Sequence, residues 1–202
     1  WWLVRQDRRA GRETSSLFGF SPLPLRTTAI AGVFGGLLYA LLAYAGFVFA
    51  PAAHGSVLIP GSLPLWTALL ALLVLGTPIT PARALGLALI VGGDALVGGA
   101  SLLQALQGGT VWQGDLIFVL AAMCWATYSV LARKLALDAL RGTVAITVFA
   151  FFCFMPVYLL LVGTGLLSAG LLQASWGAVL FQMGFQGVGS VAIAGVTFTR
   201  MI

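Results

Sequence analysis

The chain contains long stretches of apolar residues that no charged side chain interrupts. The clearest runs from Ala29 to Ala50, AIAGVFGGLLYALLAYAGFVFA. As an α-helix it would be about 33 Å long, enough to cross a hydrocarbon core of roughly 30 Å. Because a lipid core offers no water to backbone N–H and C=O groups, only helices and closed barrels can span it. These stretches predict an all-α polytopic membrane protein.

Six such spans are predicted, together forming a helical bundle. They comprise residues 29–50, 56–76, 82–102, 115–136, 142–163 and 176–199. Pro60 and Pro64 lie inside the second span and Pro156 lies near the far end of the fifth. Each proline removes one backbone donor, so we predict helix kinks at these positions. Only 7% of the residues are charged, against about 25% in soluble domains, which argues against a soluble protein.

The basic residues fall on one side of these spans. Six spans create seven flanking segments that alternate between the two sides of a membrane, and the ten Lys and Arg residues occupy four segments that share a side. The opposite side carries only Asp115 and His54. Because basic loops stay in the cytoplasm, we expect a multi-pass protein of the bacterial inner (plasma) membrane whose N-terminal Arg-rich loop, residues 5–28, is cytoplasmic. The basic charge is then a topology signal, and nucleic-acid binding is disfavoured.

Cysteine usage and the chain ends carry less information. Cys124 and Cys153 both lie inside apolar spans, which favours packing roles over a disulfide or a metal cluster. No metal ion or cofactor is expected. Residues 1–4 read as the last turn of a helix that begins upstream, and the chain stops within the charged end of the sixth span. We therefore expect a fragment of a longer protein.

A short internal repeat relates the first and last spans. Residues 43–49, AYAGFVF, align without gaps with residues 192–198, AIAGVTF. Five helices separate equivalent points, so the two copies run in opposite directions, the inverted arrangement that many secondary transporters use. The predicted domains are residues 1–113, the remainder of a first repeat, and residues 114–202, the start of a second.

Two segments resemble EamA-type members of the drug/metabolite transporter superfamily. Residues 114–135 open on Gly-Asp-Leu, carry Trp125 and Tyr128 three apart, and end on Arg-Lys-Leu, which resembles the start of that family's second repeat. Residues 63–86, with LPLW, LG and TPARALG, resemble the fourth helix, turn and fifth helix of its first repeat. The resemblance implies an inverted (5+5) transporter fold, of which this chain would hold helices three to eight of ten.

The chain departs from the family pattern at two positions. Thr77 stands where the family usually has Glu after the Leu-Gly that ends the fourth helix. Conversely, Asp94 occupies a span position that is usually apolar in the family.

Asp94 is the first candidate for a functional residue. It lies about 18 Å into the third span by helical rise, where a carboxylate costs roughly 2.5–3.5 kcal/mol on insertion scales. Gly98 and Ser101 would share its face. One interpretation is a proton or cation relay, or a contact to a substrate amine. The other is a neutral acid bonded to nearby backbone, or an interfacial residue in a tilted helix.

Uncharged polar or small residues at helical spacing provide a second candidate, on the sixth span. They are Gln182, Gln186, Gly189, Ser190 and Thr197. Such a stripe suits either a translocation pathway for polar molecules or helix–helix hydrogen bonding. Trp125 and Tyr128, one turn apart, would either stack on a substrate or, as the favoured reading, pack in the protein. His54 is interpreted as an interfacial polar residue.

These features favour a secondary transporter of small metabolites or amphipathic compounds, exporter-like and proton-coupled, working by alternating access between inverted repeats. The expected partners are the lipid bilayer, a small-molecule substrate and protons. A non-transporting structural or sensory membrane subunit is the alternative. An intramembrane enzyme is less favoured, because the chain offers no convergent nucleophile and base and no pair of intramembrane acids.

Overall fold

The computed structural model describes residues 2–9, 15–106, 109–165, 174–194 and 197. Within these ranges the regular structure is helical, apart from an isolated bridge between Ser16 and Ser21. Five of the described helices are long and apolar enough to cross a membrane. The prediction of an all-α polytopic membrane protein is thereby confirmed.

The helices follow one another with short connections. A short helix, α1, covers Trp2–Arg9, and the first span, α2, covers Leu25–Phe49. The next four are α3 (Ala52–Leu75), α4 (Pro81–Ala105), α5 (Val111–Lys134) and α6 (Ala139–Gly163). The last α-helix, α7, covers Trp176–Gln182, and a π-helical segment, Met183–Ala194, continues from it.

Helix ends follow local chemistry that the apolar pattern does not report. Gly76 ends α3 in the left-handed conformation, with φ of +66°, and its N–H bonds the carbonyl of Leu72. The carboxylate of Asp138 accepts a hydrogen bond from the N–H of Arg141 at 3.1 Å, so α6 begins at Ala139, three residues before the predicted start. Caps of this kind set the ends of both helices.

Two predicted boundaries differ more clearly. Residues 5–28 are not one loop, because α1 extends to Arg9 and α2 begins at Leu25. Pro24 immediately precedes α2, which is a favourable position for a residue that lacks an N–H. At the other end, the sixth predicted span, residues 176–199, is described to Ala194 as α7 and the π-helical segment and then only at residue 197. That span and the inverted repeat, with its boundary at residue 114, stay predictions.

The prolines lie within continuous helices. The α3 helix continues through Pro60 and Pro64, and α6 continues through Pro156. The helices are therefore not broken at these positions, and the predicted kinks stay predictions. A widened π-helical stretch does occur elsewhere, at Val33–Leu37 in α2. No pattern in the sequence predicts this stretch.

The chain divides into two compact units. The central unit comprises Phe34–Leu135, and the terminal unit comprises Trp1–Val33 and Ala136–Ile202. In the terminal unit the first turns of α2 pack on α6, where Gly32 lies against the ring of Phe149. A salt bridge between Arg141 and Asp7 also lies within this unit.

In the central unit, α5 is enclosed by its neighbours. It packs against α3, α4 and the Leu38–Phe49 part of α2, and 56% of its apolar window is buried, against 22% or less in each other span. The ring of Phe118, fully buried, forms a core with Ala50 and Leu58. Glycines on the neighbouring helices make room for it: a Cβ on Gly55 would lie 2.9 Å from the Phe118 Cζ. The helix that the sequence marks as the start of the second repeat is therefore the packing centre of this unit.

Candidate functional site

Asp94 of α4 faces the backbone of α3 within the central unit. A Cβ on Gly61 would lie 3.1 Å from the Asp94 Cγ and closer still to Oδ1, so a larger residue at 61 would require the carboxylate to shift from this position. Gly61 is flanked by Pro60, whose carbonyl lacks the usual donor four residues later because that residue is Pro64. The acid therefore lies beside a polar stretch of helix backbone inside a span.

A second acid, Asp115, is hydrogen-bonded to the chain's single histidine. The Nδ1 of His54 lies 2.8 Å from the Oδ1 of Asp115. His54 belongs to the first turn of α3 and Asp115 to the second turn of α5, and these two helices start on the same side of the unit because α4 runs back between them. The Asp115 side chain is 9% exposed and that of His54 is 23% exposed. The pair thus joins the N-terminal ends of two spans.

The packing of α5 on α2 buries Asp115. At the preceding residue, Gly114, a Cβ would lie 2.7 Å from the carbonyl oxygen of Gly46 and 2.8 Å from the amide nitrogen of Ala50. Glycine at 114 therefore lets the two backbones meet, and this contact draws Asp115 into the unit. When Asp115 is ionised, the neutral His54 donates a hydrogen bond from Nδ1, and its Nε2 is then a hydrogen-bond acceptor.

The second oxygen of Asp115 has no hydrogen-bond partner among the described residues and is buried. The nearest point on α4 is Gly98: a Cβ there would lie 4.0 Å from the Asp115 Oδ2. Since Asp94 and Gly98 are four residues apart, they share a face of α4. Asp115 therefore approaches α4 at Gly98, which lies one turn, about 6 Å of helical rise, from Asp94 on the same face.

The predicted aromatic pair forms a cluster in the same unit. The ring centroids of Trp125 and Tyr128 are 5.6 Å apart, and Tyr39 of α2 lies 5.0 Å from Trp125. Tyr128 is 1% exposed, so its ring is enclosed by protein. This burial favours the packing interpretation for Tyr128, whereas Trp125 is half-buried.

The predicted polar stripe belongs to the terminal unit. Gln182 ends α7 and is exposed, and Gln186 is exposed within the π-helical segment. Because a π-helix bonds i to i+5, the α-helical spacing that defined the stripe does not apply from Met183 onward. The side chain of Ser190 lies outside the described residues. The shared polar face therefore stays a prediction.

Sequence reasoning missed the histidine–aspartate pair. His54 and Asp115 were both noticed as the polar residues of the basic-poor side, but 61 positions separate them and no motif spacing relates them. The available signal was that both begin spans with the same predicted direction. The indole Nε1 of Trp66, also missed, is buried with no hydrogen-bond partner among the described residues.

The geometry describes a multi-pass helical membrane protein with ionisable side chains packed between its spans. Residues 10–99 match the EamA-like transporter family. The chain is also 29% identical over 169 residues to the uncharacterized transporter YyaM of Bacillus subtilis (strain 168), in an alignment that covers 79% of this chain and 51% of that protein. It thus spans about half the length of this relative. No solved structure matches the chain.

The EamA-type resemblance predicted from the sequence is therefore confirmed over residues 10–99, the part of the chain that matches the EamA-like transporter family.

Proposed function

We propose that the chain forms part of a secondary transporter that moves small metabolites or amphipathic compounds outward across the inner membrane, coupled to protons through Asp94. The observation that carries this proposal is the carboxylate of Asp94, which lies inside a span against the backbone of Gly61. The family match supports transport as the general activity. Alternating access between inverted repeats, with the Arg-rich N-terminal segment in the cytoplasm, is the mechanism that we propose.

The energetics of Asp94 suit a coupling residue. Holding a carboxylate in the hydrocarbon costs roughly 2.5–3.5 kcal/mol more than holding an apolar residue there. At about 1.4 kcal/mol per factor of ten, this corresponds to a shift on the order of 100-fold between two conformations that hydrate the acid differently. Gain or loss of one proton at Asp94 would therefore be enough to bias an equilibrium between inward-open and outward-open states.

The rest of the substrate pathway is proposed from the uncharged polar and aromatic residues. Gln182, Gln186 and Ser190 would offer hydrogen bonds to a polar substrate, and Trp125 would offer a stacking surface, with Tyr128 packed behind it. None of these side chains carries charge, which suits a neutral or amphipathic compound better than a strongly ionic one.

Proteoliposomes containing the purified protein and an internal pH indicator test this proposal. Addition of metabolites from a broad panel is expected to drive a pH change for at least one compound. Asp94→Asn, which removes the ionisable group with little change in shape, is expected to abolish that change. Asp138→Asn is the matched control, because Asn caps a helix as well as Asp does and Asp138 is exposed at the start of α6.

A second variant separates the position of the acid from its presence. Gly61→Ala keeps Asp94 but places a methyl group where its carboxylate lies, so we expect proton flux to fall about as far as in Asp94→Asn. Gly92→Ala is the control, since nothing lies within 4 Å of a Cβ there. Wild-type flux in both Asp94→Asn and Gly61→Ala would show that Asp94 does not couple transport to protons. No flux of any compound in the wild-type protein would instead support a structural or sensory subunit.

A further inference from the structure

The histidine–aspartate pair presents an unusual combination of satisfied and unsatisfied atoms. Oδ1 of Asp115 is bonded to His54 at 2.8 Å, whereas Oδ2 is buried with no hydrogen-bond partner among the described residues. A buried acceptor without a partner costs about 1–3 kcal/mol. If the pair served only to join α3 and α5, an apolar contact would join them at lower cost. The orphan oxygen therefore indicates a ligand that the carboxylate receives.

The surroundings of Oδ2 identify that ligand. It faces Gly98 of α4, a residue without a side chain, and Asp94 lies one turn deeper on the same face of α4. No described group of three or more His, Cys, Asp and Glu residues could hold a metal ion. A proton needs only one acceptor at a time and can pass from one carboxylate to another.

No Lys or Arg residue of the described central unit lies near Asp115 and Asp94. The titratable groups near Asp115 are His54 of α3 and Asp94 of α4. The residues of α2 beside Gly114 are Ala50 and Gly46, and neither is titratable. The basic residues of the central unit are at the far ends of the helices. By helical rise, Arg83 is about 22 Å along α4 from Gly98, and Arg133 and Lys134 end α5.

We infer that His54 and Asp115 form a proton-loading site that connects the basic-poor side of the membrane, predicted to be the outside, with Asp94. This inference rests on the proposed function, because Asp94 is the coupling residue in both. His54 and Asp115 are positioning and relay groups, while Asp94 carries the proton through the transport cycle.

The transfer can be written with each proton accounted for. A hydronium ion on the basic-poor side protonates the Nε2 of His54 and becomes water, and the proton on Nδ1 passes to Oδ1 of ionised Asp115, which leaves both groups neutral. Rotation of the carboxyl group about Cβ–Cγ carries the O–H to the side that faces Gly98. The proton then passes through water to ionised Asp94, and Asp115 regains its negative charge. Exchange of the imidazole with water resets the proton from Nε2 to Nδ1.

Infrared spectroscopy of the purified protein in membranes tests this path without any substrate. The carbonyl stretch of a protonated carboxyl group that disappears in Asp94→Asn reports Asp94 alone. On transfer to D₂O this band shifts as the proton exchanges. Because a positioned acid–base group typically contributes a factor of 10² or more to proton transfer, we expect His54→Gln and Asp115→Asn each to slow the exchange about 100-fold.

Gly98→Leu tests the gap while retaining both acids. A leucine side chain would occupy the space between Oδ2 and Asp94, so the exchange is expected to slow as in His54→Gln. Gly99→Leu is the matched control, since a Cβ at Gly99 meets nothing within 4 Å, and its exchange is expected to match wild type. Asp115→Asn is nearly isosteric, so its result stands even if Gly98→Leu does not fold.

Two results would overturn the inference: wild-type exchange in His54→Gln and Asp115→Asn, or no protonated-carboxyl band from Asp94 at any pH. The proposed function fails separately. A His54-dependent exchange without substrate-driven flux would remove proton-coupled transport and leave the relay. Substrate-driven flux together with a proton exchange that does not depend on His54 would remove the relay and leave proton-coupled transport.

Discussion

The α4 and α5 helices are similar in length and composition but differ in how much of their surface is buried. They are 25 and 24 residues long, and each carries one aspartate among apolar residues. Yet 6% of the apolar window of α4 is buried, against 56% of that of α5. Leu89 and Leu96 of α4 are 71% and 83% exposed, as suits side chains that face lipid. Apolar content thus predicts that a helix lies in the membrane, but it does not predict whether the helix is enclosed by other helices or faces lipid.

Small residues at the helix contacts determine which helix is enclosed by its neighbours. Close approach at Gly114 and the glycine-lined space around Phe118 hold α5 against α2 and α3. Gly92, Gly93 and Gly99 of α4 meet nothing within 4 Å, so the same residue type there brings no helix closer. In lipid, where apolar side chains gain nothing from leaving the solvent, such fit is the main source of association.

The largest effect is expected at the centre of α5. Phe118→Ala should lower the free energy of unfolding by about 3–5 kcal/mol, because it empties a fully buried site held open by glycines. Leu116→Ala, at a residue that is 51% exposed on the same helix, should cost less than about 1 kcal/mol. Reversible unfolding in mixed detergent micelles measures both. Equal losses would contradict the central position of α5.

A smaller but substantial effect is expected for added bulk. Gly114→Ala should cost about 1–3 kcal/mol, because the new methyl group meets backbone atoms of Gly46 and Ala50 that cannot rotate away. Gly99→Ala on α4 should be neutral or slightly stabilising, given the higher helix propensity of alanine. The same unfolding assay applies. A neutral Gly114→Ala would show that the two backbones can separate freely.

The third comparison distinguishes the two acids, and its smallest effect is expected at Asp94. A double-mutant cycle of His54→Ala and Asp115→Ala should give a coupling energy of about 1.5–3 kcal/mol, as for a hydrogen bond to a charged group. Asp94→Asn should change stability by less than about 0.5 kcal/mol, since it keeps the size and shape of the side chain. A coupling energy near zero would mean that the pair makes no stabilising contact in the membrane.

The sequence predicted the class of fold because that class depends on hydropathy averaged over whole apolar runs. The length and hydropathy of each apolar run locate five described spans to within a few residues, and the motif over residues 63–86 lies within the part that matches the EamA-like transporter family. The helix starts at Leu25 and Ala139 depend instead on a proline and a capping carboxylate, which act on single residues.

The site was predicted only where one residue was anomalous by itself. Asp94 is conspicuous as an acid in an apolar span, and the sequence drew attention to it. The pairing of His54 with Asp115 depends on how α3 packs on α5, and that packing follows from Gly55 and Gly114 fitting their particular neighbours. A glycine-rich chain offers many such positions, so the sequence alone does not show which ones are in contact.

Infrared difference spectroscopy on addition of a transported substrate tests the central claim most directly. If Asp94 exchanges its proton for substrate, the protonated-carboxyl band of the wild-type protein should decrease when substrate binds, and no such change should occur in Asp94→Asn. Asp138→Asn should behave as wild type. An unchanged band in wild-type protein that transports the same substrate would contradict the account.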